Sequence, residues 1–242
     1  MRIAAVVPAA GRGERLGPGT PKALRELSGV PILVHAVRAV AASRAVELVV
    51  VAAPPDGVHL VASLLADHDL AAEVLVVAGG ATRQESVRLA VASLPADFAG
   101  VLVHDAARPL VPVELVDAVA AAVRAGVAAV IPALPVADTV KQVEGGVQGG
   151  LVVDTPDRAG LVAVQTPQGF ARDVLEKAHA AATGAGVHGE GVTGEGATDD
   201  AGLVERLGIP VRTVPGSAEA FKVTRPVDLL LAEAILARRR HR

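Results

Sequence analysis

Residues 3–17 read IAAVVPAAGRGERLG, an apolar run that passes directly into a glycine-rich segment. The run Ile3–Pro8 carries no polar side chain on either face, which is typical of a strand in a parallel sheet that is covered on both sides. Glycine and alanine directly after such a strand allow several backbone N–H groups to approach one anion. The segment therefore predicts the first strand of an α/β sheet, followed by a phosphate-binding loop.

Short valine-rich runs and longer amphipathic segments alternate after this segment. The apolar runs predict further buried strands at Leu48–Ala53, Val74–Val77, Val101–His104 and Ala129–Pro132. The helical spacing of apolar residues predicts helices over residues 31–43, 57–66, 82–94 and 112–125. This alternation favours one α/β domain over residues 1–242, with a doubly wound, mostly parallel, Rossmann-like sheet that binds ligands at the carboxyl ends of its strands.

The alternation stops near residue 134. Within residues 134–160, the runs Val140–Val143 and Leu151–Val153 flank two glycine pairs and predict a β-hairpin that projects from the sheet as an arm. An isolated hairpin cannot bury its own faces, so a covering partner subunit is one expectation and an exposed surface excursion is the other. The sequence leaves both open.

The last third of the chain adds a loop, a helix and a basic tail. Residues 184–196 are rich in glycine and predict a flexible loop. A helix is predicted from about Pro226, and we expect the tail Arg238–Arg242 to be solvated. Asp228 is a candidate second metal ligand, although a carboxylate in the first turn of a helix already interacts favourably with the helix dipole.

The composition argues against several classes of function. The chain has 242 residues, a net charge of -3, three phenylalanines as its only aromatic residues, and no cysteine. Without a basic stripe or aromatic platforms, nucleic-acid binding is not expected. The lack of cysteine excludes thiolate catalysis and cysteine-bound metals. No apolar run reaches the ~18 residues of a membrane span, and we expect a soluble, cytoplasmic protein that does not bind membranes.

The glycine-rich loop departs from two common phosphate-binding motifs. The dinucleotide fingerprint requires glycine where this chain has Leu16, and the P-loop requires lysine directly after glycine, whereas Lys22 follows Pro21. Both departures count against a dehydrogenase and a P-loop NTPase. The pattern Ala-Ala-Gly-x-Gly-x-Arg, which ends at Arg15, with Lys22 after it, resembles nucleotidyltransferases that make nucleotide-activated sugars and alcohols.

Two further polar segments follow predicted strands, at residues 79–86 (GGATRQES) and 104–109 (HDAARP). The glycines of the first segment let the backbone pass close to a ligand. In the second, Asp105 is a candidate Mg²⁺ ligand, because Mg²⁺ usually takes one or two carboxylates together with phosphate oxygens and water. The alternatives are that Thr82 caps a helix, and that Asp105 is a helix cap or pairs with Arg108.

Taken in order, these segments resemble the 2-C-methyl-D-erythritol 4-phosphate cytidylyltransferase family. The resemblance covers nearly the whole chain and also rests on residues 138–141 (DTVK), 166–168 (TPQ) and 222–226 (KVTRP). It implies a nucleotide-diphospho-sugar transferase fold, a homodimer that exchanges its arms, and Mg²⁺-dependent transfer of CMP from CTP to a polyol phosphate. The nearest alternative is a cytidylyltransferase for another alcohol phosphate, such as ribitol 5-phosphate. A non-catalytic nucleotide-binding protein would be expected to lose the cations or the metal acid.

The resemblance also implies roles for individual residues. Arg15 and Lys22 would be the catalytic cations, and Asp105 would bind Mg²⁺. The residues that would hold CTP are Ala9, Ala10, Gly11, Gly13, Gly79, Gly80, Arg83, Ser86 and Ala107. The residues that would hold the polyol phosphate are Arg158, Thr166, Thr198 and Lys222, together with Arg108 of the partner subunit and Thr139 of the partner subunit.

Overall fold

The computed structural model describes residues 1–11, 22–146, 148–184 and 198–240, with only the backbone described at residues 22 and 184. The strands are β1 (Arg2–Pro8), β2 (Glu26–Leu27), β3 (Val30–Pro31), β4 (Val46–Ala53), β5 (Glu73–Ala78), β6 (Phe98–Val103), β7 (Ala129–Pro135), β8 (Gln142–Glu144), β9 (Leu151–Asp154), β10 (Val162–Val164), β11 (Gln168–Ala171) and β12 (Arg212–Pro215). The α-helices are α1 (Ile32–Ala41), α2 (Val58–Ala66), α3 (Arg83–Ala92), α4 (Val113–Arg124), α5 (Arg172–Gly184), α6 (Asp200–Glu205) and α7 (Pro226–Arg240).

The central sheet is doubly wound and mostly parallel, as predicted. Its strand order is β10-β7-β11-β6-β1-β4-β5, with β12 also paired to β7. β1 pairs in parallel with β4 and β6, and β4 pairs in parallel with β5. β10 and β11 run antiparallel to their neighbours. The chain thus winds outward from β1 to β5 and crosses back to β6 on the other side of β1.

Both faces of β1 are buried, as its apolar sequence predicts. Ile3, Ala5 and Val7 pack in a core that includes residues of α1 and α4. Ala4 and Val6 pack in a second core, which includes residues of α3, α5 and α6. Because helices cover both faces, ligands can reach this part of the sheet only where its strands end.

The prediction for Val74–Val77 is wrong in one respect. This segment does form a strand, β5, but its side chains are only partly buried, and Leu75 is 39% exposed. Among the described residues, β5 is the last strand on its side of the sheet and pairs with β4 alone. An edge strand has one neighbour fewer, so the same valine-rich run is less completely covered there.

The arm contains the predicted hairpin, in which β8 and β9 pair antiparallel. Its first strand begins at Gln142 rather than at Val140, and every residue of both strands is exposed. Val147, in the turn region, lies outside the described residues, as do residues 185–197 of the predicted glycine-rich loop. A single chain therefore leaves the apolar side chains of the two hairpin strands uncovered, namely Val143, Leu151, Val152 and Val153.

The predicted C-terminal helix is α7, and Asp228 has a local structural role in it. The Asp228 carboxylate accepts hydrogen bonds from the backbone N–H groups of Thr224 and Arg225, at 2.7 Å each. The described tail residues Arg238–Arg240 are exposed, as expected of a solvated tail, and Arg238 and Arg239 also form surface ion pairs with Glu219. In the described part of the chain, no helix combines the length and hydropathy that crossing a membrane requires.

Candidate active site

The loops that follow β1, β5 and β6 meet at one edge of the sheet. Three hydrogen bonds continue the parallel pairing into these loops: Ala9 N to Ala52 O, Gly79 N to Ala53 O, and His104 N to Val6 O, at 2.7–2.8 Å. The loops enclose a cavity of about 260 Å³, here called the nucleotide cavity. The predicted site residues that line it are Ala9, Ala10, Gly11, Gly80, Arg83, Ser86, Asp105, Ala107 and Lys222.

Gly79 allows two of these loops to pack together. A Cβ atom at this position would lie 2.8 Å from Ala10 Cβ and 2.9 Å from Ser86 Oγ. Neither distance is compatible with ordinary van der Waals contact, so any larger residue would push the loop after β1 away from the start of α3. Gly79 therefore shapes the cavity from behind, whereas its neighbour Gly80 lines it.

The start of α3 is held by its own polar side chains, which supports the capping alternative for Thr82. Thr82 Oγ1 accepts a hydrogen bond from Glu85 N at 3.0 Å, and Glu85 Oε2 accepts one from Ala81 N at 2.8 Å. The buried Ser86 hydroxyl accepts from Gly80 N at 3.1 Å and donates to Thr82 O at 2.9 Å. These bonds fix the loop in front of Arg83. The predicted contact of Ser86 with CTP stays a prediction.

Asp105 is the charge centre of the cavity. Its Oδ1 accepts a hydrogen bond from Arg83 Nε at 3.2 Å, and its Oδ2 accepts one from Lys222 Nζ at 2.7 Å. Arg108 Nε lies 4.0 Å from the same Oδ2. Burial alone raises the pKa of Asp105, but the nearby positive charges of Arg83 and Lys222 outweigh it and hold the pKa well below its ordinary value. The carboxylate is therefore ionised and surrounded by cations.

His104 and Thr166 lie directly behind Asp105. Thr166 Oγ1 accepts a hydrogen bond from Asp105 N and lies 3.1 Å from His104 Nδ1, while His104 Nε2 lies 3.0 Å from Arg108 O. Since a carbonyl only accepts, Nε2 carries the hydrogen and the Thr166 hydroxyl donates to Nδ1. Burial lowers the pKa of His104 to about 4, so the ring is neutral at pH 7.

Thr166 is thus buried, and its hydroxyl holds the backbone of Asp105; its predicted contact with the polyol phosphate stays a prediction. The ring of His104 has no counterpart among the predicted site residues. Its position between the last residue of β6 and Asp105 is the sequence signal that could have indicated its role.

Arg108 is folded into its own chain. Its Nη1 donates to Ala220 O at 2.7 Å and its Nη2 donates to Val164 O at 3.3 Å. These bonds connect the loop after β6 to β10 and to the segment that precedes Lys222. These bonds do not test the predicted contact of Arg108 with the substrate in a partner subunit, which stays a prediction.

The remaining predicted contacts of the polyol phosphate do not line the nucleotide cavity. Arg158 lines a cavity of about 790 Å³ at the base of the arm and donates from Nη1 to Ala137 O at 2.6 Å. Thr139 and Thr198 are exposed. Of the side chains predicted to hold this substrate, Lys222 is therefore the one that the described structure brings into the nucleotide cavity, beside Asp105.

The two predicted catalytic cations fall where the structure is not described. Gly13 and Arg15 lie outside the described residues, and so does the side chain of Lys22. The backbone of Lys22 begins a short 3-10 turn, Lys22–Leu24, and Ala23 in this turn lines the nucleotide cavity. The predicted convergence of Arg15, Lys22 and Asp105 therefore remains a prediction.

Asp200 belongs to the same charge network, although it was not among the predicted site residues. Its Oδ2 accepts a hydrogen bond from Arg83 Nη1 at 2.7 Å, and its Oδ1 lies 3.0 Å from His179 Nε2. The two members of the Arg83–Asp200 pair are separated by 117 positions. The group around Asp105 thus contains the cations Arg83, Lys222 and Arg108 and the carboxylates Asp105 and Asp200.

The side chains that line the nucleotide cavity fit Mg²⁺ only if a nucleotide supplies further oxygen ligands. Within the described residues, no three His, Asp or Glu side chains are grouped so that they could hold a metal ion. Asp105 alone would supply one carboxylate, which is a usual protein contribution where phosphate oxygens and water complete the coordination. Each Asp105 oxygen accepts one hydrogen bond from a cation, Oδ1 from Arg83 and Oδ2 from Lys222, and each keeps a lone pair that a metal ion could use.

A doubly wound sheet with a cation-lined cavity at its carboxyl edge defines a nucleotide-binding α/β protein, and comparison with known proteins identifies the family. A model of the family described as IspD, 2-C-methyl-D-erythritol 4-phosphate cytidylyltransferase, matches residues 3–238. The chain belongs to this family, and its members are nucleotidyltransferases.

Individual relatives agree with this assignment. A 2-C-methyl-D-erythritol 4-phosphate cytidylyltransferase from Streptomyces coelicolor is 62% identical over 99% of this chain and 86% of its own length. The crystal structure of the enzyme of that name from Thermus thermophilus shares 38% identity, has a TM-score of 0.73, and covers 97% of this chain and 98% of its own. A 4-diphosphocytidyl-2C-methyl-D-erythritol synthase from Anaerococcus prevotii has a TM-score of 0.80 at 26% identity, covering 98% and 96%.

Proposed function

We propose that this chain transfers CMP from CTP to 2-C-methyl-D-erythritol 4-phosphate, releasing pyrophosphate and making 4-diphosphocytidyl-2-C-methyl-D-erythritol for isoprenoid synthesis. Family membership over residues 3–238 supports the reaction. The structural observation that carries it is the cation-lined nucleotide cavity, in which Arg83 and Lys222 converge on Asp105 at the carboxyl edge of the sheet.

The chemistry does not require a strong general base. The acceptor phosphate is already anionic at neutral pH, so one of its oxygens can attack the α-phosphorus of CTP. The bond between the α-phosphorus and the oxygen that bridges it to the β-phosphorus then breaks, and pyrophosphate leaves with the electron pair. Repulsion between two anions and the growing charge on the leaving group make up much of the barrier. Positioning and positive charge are therefore what the protein has to supply.

The described residues suit that task. Arg83 and Lys222 supply positive charge at the wall of the cavity, and their bonds to Asp105 hold both side chains in place before substrate arrives. We assign Arg83 to the triphosphate and Lys222 to the acceptor phosphate. Arg15 and Lys22, on the loop after β1, are proposed as the cations that stabilise the charge of the transition state.

Mg²⁺ is the proposed cofactor, with Asp105 as its protein ligand. When bound with CTP, it neutralises part of the triphosphate charge and orients the phosphates. The Asp105 carboxylate would hold the ion. Lys222 Nζ donates to Asp105 Oδ2 at 2.7 Å, and its ammonium group has two further N–H groups for the acceptor phosphate.

A homodimer formed through the arm is the proposed assembly. Leu151, Val152 and Val153 on β9 are all exposed in the single chain, and Leu151 is 71% exposed. Val162 and Val164 on β10, at the base of the arm, are exposed as well. Neighbouring exposed apolar side chains on a hairpin and an edge strand favour coverage by another protein surface, and a second copy of this chain is the proposed partner.

Pyrophosphate release tests the proposed reaction. The assay would contain CTP, Mg²⁺ and 2-C-methyl-D-erythritol 4-phosphate, with ribitol 5-phosphate and the other three nucleoside triphosphates as matched controls. We expect release only with CTP and the methylerythritol phosphate. Release with ribitol 5-phosphate at an equal kcat/KM would contradict the proposed acceptor, and release with another nucleotide would contradict the choice of CTP.

A further inference from the structure

Arg83 is held between two carboxylates that come from different parts of the fold. Its Nε donates to Asp105 Oδ1 at 3.2 Å, and its Nη1 donates to Asp200 Oδ2 at 2.7 Å. Its third nitrogen, Nη2, has no hydrogen-bond partner among the described residues. The side chain lines the nucleotide cavity and is 32% exposed. Two nitrogens of the guanidinium group are therefore fixed by protein, and the third remains for a ligand.

The outer carboxylate, Asp200, is itself fixed by a buried histidine. Asp200 is 1% exposed and His179 on α5 is 2% exposed, with Nε2 and Oδ1 3.0 Å apart. Burial by itself raises the pKa of Asp200, but the hydrogen bond from His179 and the charge of Arg83 lower it below its ordinary value. The carboxylate is ionised and only accepts, so His179 Nε2 carries the hydrogen.

The backbone around Asp200 is also pinned, which gives the pair a defined place. Asp199 caps α6 by accepting from Gly202 N at 2.9 Å, and Gln168 on β11 donates to the other Asp199 oxygen at 2.6 Å. Gln168 Oε1 accepts from Ala201 N at 3.1 Å. The first turn of α6 is thus tied to the central sheet, and Asp200 presents its carboxylate to Arg83 from a rigid position.

We propose that Asp200 and His179 are positioning residues for CTP: they hold the guanidinium of Arg83 so that its free Nη2 points into the nucleotide cavity. A free arginine side chain loses considerable rotamer entropy when it orders around a ligand, and fixing it beforehand removes that cost from binding. Neither Asp200 nor His179 lines the nucleotide cavity, so both act through Arg83. The inference rests on the proposed role of Arg83 as a ligand of the triphosphate.

A double-mutant cycle tests whether Asp200 acts through Arg83. We expect Asp200→Asn to raise the KM for CTP roughly tenfold, within the coupling range of contacting residues, with a smaller change in the KM for 2-C-methyl-D-erythritol 4-phosphate. In an Arg83→Met background the same substitution should change the KM for CTP less than about twofold, because its target is gone. An equal effect of Asp200→Asn in both backgrounds would overturn the proposal.

The same cycle separates this inference from the role of Arg83. If Arg83→Met leaves the KM for CTP unchanged, the assignment of Arg83 to the triphosphate is wrong. If Arg83→Met raises that KM and Asp200→Asn does not, only the positioning role is wrong. A purely structural role of Asp200 would lower the fraction of folded enzyme, and therefore kcat, without changing KM.

His179 offers a second test should Asp200→Asn fold poorly. His179→Gln keeps an N–H group near the position of Nε2, whereas His179→Leu removes the donor and keeps a side chain of apolar bulk. We expect the KM for CTP to rise at least threefold in the leucine variant and to lie nearer to the wild-type value in the glutamine variant, as donor loss predicts. Equal KM values for the two variants would contradict a role for the His179–Asp200 hydrogen bond.

Discussion

The nucleotide cavity and the arm differ in how completely one chain builds them. Around the cavity, buried carboxylates fix the cations Arg83 and Lys222 at hydrogen-bond distance, and the side chains of Ala10 and Ser86 leave no room for a larger residue at Gly79. At the arm, both hairpin strands are exposed. Arg158 lines a cavity that is larger than the nucleotide cavity and that Asp105 does not line. We infer from this contrast that one chain assembles the described part of the proposed CTP site, whereas the arm, which belongs to the proposed acceptor site, is left without a covering surface.

The largest expected effect comes from the loop after β1. We expect Lys22→Ala to lower kcat/KM a hundredfold or more, equivalent to about 3 kcal/mol, because the transition state loses one cation. Pyrophosphate release measures the effect, and circular dichroism confirms that the fold is kept. Lys177→Ala, at an exposed lysine that pairs with Asp173 on α5, is the control. Turnover within about threefold of wild type in Lys22→Ala would contradict the catalytic role.

The burial of His104 behind the nucleotide cavity should make the free energy of unfolding depend on pH. The pKa of His104 falls from 6.5 to about 4 on folding, so the unfolded chain binds more protons between these values. The contribution of the neutral His104 ring to the free energy of unfolding is complete above pH 6.5 and is lost as the pH falls towards about 4. This loss amounts to about 3 kcal/mol in total.

Urea unfolding at several pH values measures this contribution as the difference between wild type and His104→Gln. The free energy of unfolding of wild type should fall more steeply with decreasing pH over this range, because the variant has no imidazole to protonate. Parallel curves for the two proteins would show that His104 does not titrate on unfolding, and would contradict the buried, neutral ring.

A pair of glycine substitutions compares the tightness of the two regions. Gly79→Ala places a Cβ atom 2.8 Å from Ala10 Cβ, and we expect it to cost roughly 1–3 kcal/mol of stability and to raise the KM for CTP. Gly160→Ala, beside Arg158, meets no atom within 4 Å, and its stability should change by less than about 0.5 kcal/mol. Equal costs measured by thermal unfolding would refute the difference in packing.

The framework of the fold and the position of the nucleotide cavity could be predicted from local sequence. The apolar run Ile3–Pro8 identifies a strand buried on both faces, and Gly80 and Asp105 each follow the end of a strand. Parallel strands place these ends at one edge, so the residues converge without further information. The same local pattern could not show that Val74–Val77 forms an edge strand, because position in a sheet depends on the order of all its strands.

The long-range polar contacts could not be predicted. Arg83 and Asp200 lie 117 positions apart, and no spacing rule links them. The Thr166 hydroxyl bonds to Asp105 and His104 from a third segment, and Glu219 pairs with the exposed side chains of Arg238 and Arg239. Such contacts depend on which side chains the folded backbone brings together, and a single sequence carries no pattern that records this.

The most direct test of the contrast is a calorimetric titration of CTP with Mg²⁺ into an arm variant. Leu151→Asp introduces a charge at a residue that is exposed in the single chain, and Leu60→Asp, on α2, places the same change at a 62% exposed leucine away from the arm. For Leu151→Asp we predict half the particle mass of the wild type and a raised KM for the methylerythritol phosphate. Its Kd for CTP should lie within about threefold of that of Leu60→Asp, since surface changes away from a site cost little. A monomeric Leu151→Asp protein that no longer binds CTP would contradict the claim that one chain builds the nucleotide half alone.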